Sequence, residues 1–313
     1  MALAVLLPSM TTQVPLVSAI IIFFNGERFL GEAIESVLAQ SYDNLELLLV
    51  DDGSSDDSVE ISTHYITKYP RKVKYLCHAD GHNHGMSAAR NLGVLHATGK
   101  YIAFLDADDV WLPDKITEQV LLIEANPGVA MIYGRTQIWH SWNPLNNTKD
   151  FFYPLGVKPD CIYHGRRMLG QLLENRFQSP TTCNSMLLRR AFLEVGGCEI
   201  AFRNQYEDQV FYFKLYLQHD VYIANDYWAR YRQHEDNSGN HFDPDSYFRE
   251  RAAFLDVVMR LACAQWSQLD GVTQRILLRE YLYTRWPRGT TWAQKTRRLL
   301  KKFISRKLTV QRH

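Results

Sequence analysis

The stretch YIAFLDADDVWLP, residues Tyr101 to Pro113, decides the fold. Tyr101 to Leu105 carry no charge, and they run straight into Asp106, Asp108 and Asp109, three carboxylates in four positions. A short apolar run closed by polar residues reads as a buried strand. Pro113 then opens a helix. The acids therefore stand at the carboxyl end of a strand, where only a ligand or a helix terminus gives so much negative charge a purpose.

The same alternation recurs on both sides of this stretch. Val17 to Phe24 is a continuous apolar run, followed by Leu30, Ile34, Val37 and Leu38 on one helical face. LELLLV (Leu45 to Val50) is a second strand, stopped by DDGSSDD; helical spacing resumes from Val59 to Ile66, and VKYL (Val73 to Leu76) is a third strand. GMSAARNLGVLHATG (Gly85 to Gly99) reads as a short helix between glycines. Beyond Pro113, PDKITEQVLLIEA and VAMIYG supply another helix and strand. Such alternation predicts an α/β fold, a mostly parallel sheet with helices on both faces. Ligands of open sheets bind beyond the carboxyl ends of the strands, and both Asp51/Asp52 and Asp106/Asp108/Asp109 sit at such ends. From Arg135 to Pro180 the pattern is irregular. A strand-like CNSMLL follows, then a short helix up to Gly196 and Gly197, a helix from about Glu207 to Gln218, and helical spacing over Phe242 to Trp266 and Val272 to Tyr283.

At 313 residues and 46% hydrophobic content the chain is long enough to bury a sizeable core. Its 35 Lys and Arg against 34 Asp and Glu point to no nucleic-acid partner. The distribution is uneven. Ten basic residues and no acidic one lie between Tyr281 and His313, so a whole-chain net charge of +1 leaves the rest at −9. Five cysteines, odd in number and without a CxxC pair, fit a reducing compartment. No apolar run reaches the roughly 18 residues that span a bilayer, and MALAVLLPSMTTQ lacks the basic flank of a secretion signal. A cytoplasmic protein is expected. In the tail TWAQKTRRLLKKFISRKL, helical spacing puts Leu299, Leu300, Phe303 and Ile304 on one side among cations, which suits the inner face of an anionic membrane as well as a solvated basic tail.

A strand end bearing D-x-D suits a hard divalent cation, because Mg2+ or Mn2+ prefers oxygen ligands and shares them with a substrate phosphate. The competing reading is that the acids cap the next helix, and Asp109 is the one that capping alone would explain. The surrounding motifs weigh for the ligand. VSAIIIFFNGERFLGEAIESVLAQSYDNLELLLVDDGSSDDS, GMSAARNLGVLHATGKYIAFLDADD, the paired Gly196 and Gly197, YEDQVF (Tyr206 to Phe211) and YRQHEDNS (Tyr231 to Ser238) follow in this order. Over roughly residues 16 to 238 the chain resembles a family 2 glycosyltransferase of the GT-A fold, inverting and non-processive.

That resemblance implies roles. Phe24, Asn25 and Asp52 would hold the nucleotide base, Asp52 accepting from the N3 proton of a uracil or thymine, with Asp51 shaping the loop. Arg90 would sit near the nucleotide and diphosphate, Asp106 on the ribose side, and Asp108 on a Mg2+ or Mn2+ ion that bridges the diphosphate. Asp208, paired with Glu207 at a helix start, would be the general base, and His234 would match a histidine on the metal or diphosphate. The implied reaction moves one sugar from a nucleotide diphosphate sugar, with a UDP-sugar expected, to a saccharide or lipid-linked hydroxyl acceptor in cell-surface polysaccharide or glycolipid assembly. The organisation expected is a loose N-terminus over 1–15, a nucleotide-sugar-binding half over 16–135, an acceptor and catalytic-base half over 136–240, and a helical extension with a basic amphipathic tail over 241–313.

The sequence departs from the family pattern where Ile22 and Phe24 replace a Pro and a Tyr, which removes one hydroxyl near the base. The Q-x-x-R-W motif of processive synthases is absent. FLDADDV also satisfies the D-x-D-x-V pattern of haloacid-dehalogenase-type phosphatases, with Asp106 as nucleophile and Asp108 as acid/base. That family puts the motif on its first strand, whereas three strands precede it here. A non-catalytic nucleotide-sugar-binding protein is a further alternative, opposed by the joint presence of Asp52, Asp106, Asp108 and Asp208. Two features stay open: CHADGHNHG (Cys77 to Gly85), whose spacing fits no common zinc site, and the aromatics Trp139, Trp142, Phe151, Phe152 and Tyr153, which suit either an acceptor site or core.

Overall fold

The computed structural model describes residues 14–203, 205–237 and 244–285. The readings made above for the N-terminal segment and for the basic tail beyond 285 lie outside these residues.

Strands β1 (Val17–Phe23), β2 (Leu45–Asp51), β3 (Val73–Cys77) and β4 (Tyr101–Asp106) run parallel in the order β3-β2-β1-β4. Helices α1 (Leu30–Leu38), α2 (Ser58–Lys68) and α3 (Met86–His96) make the crossovers. Residues alternate strictly across the sheet. Ile20 and Ile22 of β1 enter one core with Ala89 and Val94 of α3, while Ala19 and Ile21 enter the other with Ala33, Ile34 and Val37 of α1. Burial on both faces is why β1, β2 and β4 are almost wholly apolar up to the acids that close β2 and β4, the buried exceptions Ser18 and Glu46 being hydrogen-bonded to each other at 2.7 Å.

The second half differs from the first. After β5 (Val110–Trp111), α4 (Lys115–Ala125) and β6 (Val129–Trp139), the chain adds β7 (Phe151–Phe152), β8 (Cys161–Tyr163), α5 (Gly165–Glu174), β9 (Ser185–Leu188), α6 (Arg189–Glu194), α7 (Glu207–Gln218) and β10 (Asp220–Arg232). β9 is antiparallel to both β4 and β6, whereas β6 and β10 pair in parallel. The parallel expectation therefore describes the first half, and among the described residues the ten-stranded sheet is mixed.

The segment read as irregular from Arg135 to Pro180 holds the end of β6 and the helix α5, which buries Met168, Leu169, Leu172 and Leu173. CNSMLL divides into a 3-10 turn at Thr182–Asn184 and strand β9. Helices α8 (Pro244–Cys263) and α9 (Gly271–Arg285) close the core over α5 and α7, with Phe254, Val258 and Leu277 fully buried. Among the described residues no helix is long and apolar enough to cross a membrane.

Candidate active site

A cleft of about 960 Å³ opens beyond the carboxyl ends of β1 and β4 and against the start of α7. Phe24, Asn25, Asp52, Arg90, Asp106, Asp108, Glu207, Asp208 and His234 all line it. Asp51 lies behind the lining, where its carboxylate accepts from Ser54 N at 2.8 Å and from Tyr75 Oη at 2.7 Å.

The end of β1 and the loop after β2 are tied together. Asn25 adopts a left-handed φ of 53°, which Asn tolerates better than most residues. Its N donates to Ser54 Oγ at 2.9 Å and its Oδ1 accepts from Ser55 N at 2.8 Å. Asp52 accepts from the backbone N of His84 at 2.9 Å and of Gly85 at 2.7 Å, so its charge faces the amino end of α3. His78 Nε2 also lies 3.4 Å from Asp52 Oδ1, so Oδ2 is the oxygen with a second lone pair left for a ligand. The loop passes so close that a Cβ on Gly53, whose φ is 88°, would meet backbone atoms of residues 81–83 at 2.8 to 2.9 Å. Phe24 is half-exposed and lines the cleft.

At the end of β4 the acids divide their work. Asp106 accepts from Arg90 Nη2 and from Thr182 Oγ1, each at 2.9 Å. Asp108 Oδ2 meets His234 Nε2 at 3.0 Å and Asn237 Nδ2 at 3.3 Å. Asp109 does not cap α4, contrary to the expectation for it. Asp114 holds the cap position, while Asp109 is wholly buried and accepts from Arg232 N at 2.9 Å. Burial, and then the charges of Asp108 and Asp106, push the Asp109 carboxyl well above the usual range.

Glu207 and Asp208 open α7 and turn to the cleft. Tyr206, just before them, is held at a left-handed φ of 66° with its ring stacked on Phe254 at 4.9 Å. A non-glycine residue in that region costs energy, and the core contact holds it there. Arg90, almost wholly buried, stands between the two acidic groups, Nη1 lying 3.6 Å from Glu207 Oε1. Burial first, and then the neighbouring Asp208 charge, raise the Glu207 carboxyl, and Arg90 opposes them. Burial raises Asp208 in the same way, again against Arg90.

Among the described residues no three His, Cys, Asp or Glu side chains gather as a metal cluster. Asp108 and His234 offer one oxygen and one nitrogen, a pair that suits a divalent ion only when a ligand adds further oxygens. The five aromatics left open above lie outside the cleft lining. Trp139 and Trp142 pack on the Arg232 guanidinium at 4.5 and 5.2 Å, and Phe152 contacts Tyr227 at 5.1 Å. Thr182 carried no signal in the sequence, since a single Thr has no spacing that marks it, whereas Arg232 lies inside the YRQHEDNS stretch quoted above, two residues before His234, without a role assigned to it.

Residues 18–196 match the family model described as Glycosyl transferase family 2. An uncharacterized glycosyltransferase of Rickettsia felis is 46% identical over 146 residues, which are 47% of this chain and 23% of that protein. One of Rickettsia prowazekii is 27% identical over 226 residues, 72% of this chain and 66% of that protein. The chain thus spans less than two thirds of these relatives' length. Among solved structures, S. aureus TarS 1-349 superposes with a TM-score of 0.60 at 18% identity, over 88% of this chain and 73% of that one. The mannosyltransferase PcManGT from Pyrobaculum calidifontis, in complex with GDP-Man and Mn2+, superposes with a TM-score of 0.57 at 18% identity, over 87% of this chain and 70% of that one. The shared architecture is the GT-A fold, and with its family model matched over more than half its length the chain belongs to glycosyl transferase family 2.

Proposed function

We propose that the protein is a metal-dependent, inverting glycosyltransferase that moves a single sugar from a nucleotide diphosphate sugar, a UDP-sugar first, to a hydroxyl acceptor of cell-surface polysaccharide or glycolipid. One observation carries this reading. A single cleft is lined both by the strand-end acids Asp52, Asp106 and Asp108 and by the Glu207–Asp208 pair, with Arg90 between Asp106 and Glu207.

In this reading the nucleotide base lies against Phe24 and Asn25 with Asp52 beneath it, and the ribose lies towards Asp106. Asp108 and His234 hold a Mg2+ or Mn2+ ion, which when bound supplies positive charge against the departing diphosphate. Asp208 takes the proton from the acceptor hydroxyl as its oxygen bonds to the anomeric carbon. The bond to the diphosphate breaks on the opposite face, so the configuration inverts. Arg90 keeps the buried acids apart electrostatically and leaves Asp208 able to ionise. TarS was crystallised with UDP-GlcNAc and PcManGT with GDP-Man and Mn2+, which supports the donor class and the metal without choosing the base.

Against the phosphatase alternative stands the match of residues 18–196 to glycosyl transferase family 2, in which the D-x-D stretch follows three strands rather than ending the first. The test is calorimetric titration with UDP, dTDP, GDP and ADP, each with and without Mn2+, alongside Asp108→Ala. One diphosphate is expected to bind much more tightly with metal than without it, and the variant to lose that gain. If none binds in either condition, the nucleotide and metal assignments fall together.

A further inference from the structure

Resting on the reading of Asp108 and His234 as the metal couple, we infer that Arg232 is a positioning residue that sets Asp108 for the ion. Arg232 ends β10, and its side chain is only 3% exposed. Its Nε donates to the backbone oxygen of Asp108 at 2.6 Å, its N donates to Asp109 Oδ1 at 2.9 Å, and its Nη2 donates to Glu32 Oε2 at 2.5 Å. Phe29, Trp139 and Trp142 surround the guanidinium at 4.5, 4.5 and 5.2 Å.

The other member of the couple hangs on the same residue. Arg232 O accepts from Asn237 Nδ2 at 3.1 Å, and the Asn237 side chain also accepts from His234 N and approaches Asp108 Oδ2 at 3.3 Å. One buried residue thus fixes the main chain under Asp108 through its side chain and the turn bearing His234 through its carbonyl. Only arginine has the planar fork for this. A lysine can pair with Glu32, but it cannot lie flat among three rings and still donate to Asp108 O. Groups that orient a metal ligand typically change metal affinity by about 10- to 100-fold when altered.

A merely structural Arg232 would join β10 to α1 and leave ion affinity unchanged, so the decisive readout is Mn2+ itself. The full chain is titrated with Mn2+ in the presence of UDP, following the free-ion EPR signal against a blank of UDP and Mn2+ without protein, for wild type, Arg232→Lys, Glu32→Gln and Asp108→Ala, with thermal melting in parallel. Wild type is expected to bind and Asp108→Ala to lose binding. Arg232→Lys should fold and weaken Mn2+ by about 10- to 100-fold. Glu32→Gln, which keeps the bond to Asp108 O, should weaken it less. Arg232→Lys binding Mn2+ like wild type while Asp108→Ala does not would overturn this inference alone. Undiminished binding by Asp108→Ala, or none by wild type, would overturn the metal couple and the inference with it.

Discussion

Arg90 and Glu207 face each other within the cleft, Nη1 to Oε1 at 3.6 Å, while the other arm of the same guanidinium holds Asp106. The residue comes from α3 in the first half of the chain and its partner from α7 in the second, so this contact joins the strand-end acids to the helix start that also bears Asp208, the proposed base. Removing one partner of a buried ion pair leaves the other charge without compensation, at about 3–5 kcal/mol. Arg90→Ala should therefore destabilise the fold by about that amount, read as a lowered midpoint in denaturant titration. Arg90→Lys keeps a charge but not the fork, and should lose less. An Arg90→Ala protein as stable as wild type would show that the contact carries little of the structure.

The carboxyls of Glu207 and Asp208 are both raised, chiefly by burial. A general base works only when ionised, so kcat/KM should rise with pH along an acid limb above the ordinary carboxylate value of about 4. Glu207→Gln removes one negative neighbour and should move that limb to lower pH, while Asp208→Asn should abolish turnover and spare donor binding. The stability sign is opposite. Between about 4 and the raised values the folded state binds more protons than the unfolded one, so stability should fall as pH rises through that window. A limb that stays in place in Glu207→Gln would show that the two groups do not titrate together.

Asp52 and Asp108 should fail differently. Asp52 organises the loop carrying His84 and Gly85, so Asp52→Ala should weaken nucleotide diphosphate binding with and without Mn2+. Asp108→Ala should remove only the part that depends on metal. Two carboxylate-backbone hydrogen bonds at about 1.5–3 kcal/mol each set an upper scale for the first effect. Identical calorimetric profiles for the two variants would merge the base and metal roles assigned to them.

How far the sequence was legible follows from how each element is buried. β1, β2 and β4 are covered on both faces, so each is a predominantly apolar run, interrupted only by Ser18 in β1 and Glu46 in β2 before the closing acids, that could be read without a structure. β10 is equally central yet was not read, because DVYIANDYWARYR mixes polar residues into the strand. Asn225, Asp226 and Tyr227 are exposed, and the register shifts between Ile223 and Tyr227. α5 was overlooked for a different reason: its apolar Met168, Leu169, Leu172 and Leu173 do keep helical spacing, but between Arg166, Arg167 and two glycines they stood out poorly. In the site, Asp52, Asp106, Asp108 and the Glu207–Asp208 pair were visible because they sit at element ends in a recognisable order. Thr182 reaches Asp106 across 76 residues and Arg232 reaches Asp108 across 124, and only the folded sheet brings them together.

Helix α9 leads into a strongly basic sequence. That helix presents Val272, Leu278 and Leu282 to solvent, and the segment from Tyr281 to His313 carries ten basic residues and no acid. Polybasic segments gain about 1 kcal/mol per cation near an anionic bilayer, and this attraction weakens with salt as the Debye length shortens. The full chain should sediment with vesicles rich in anionic lipid and not with neutral ones, and should be released by high salt. Deleting residues 286 to 313 should remove most of that binding, whereas Leu278→Asp together with Leu282→Asp should reduce it only if the apolar face enters the bilayer. Equal sedimentation of the full and shortened chains on anionic vesicles would sink the membrane role, and a lipid-linked acceptor would then have to reach the cleft without it.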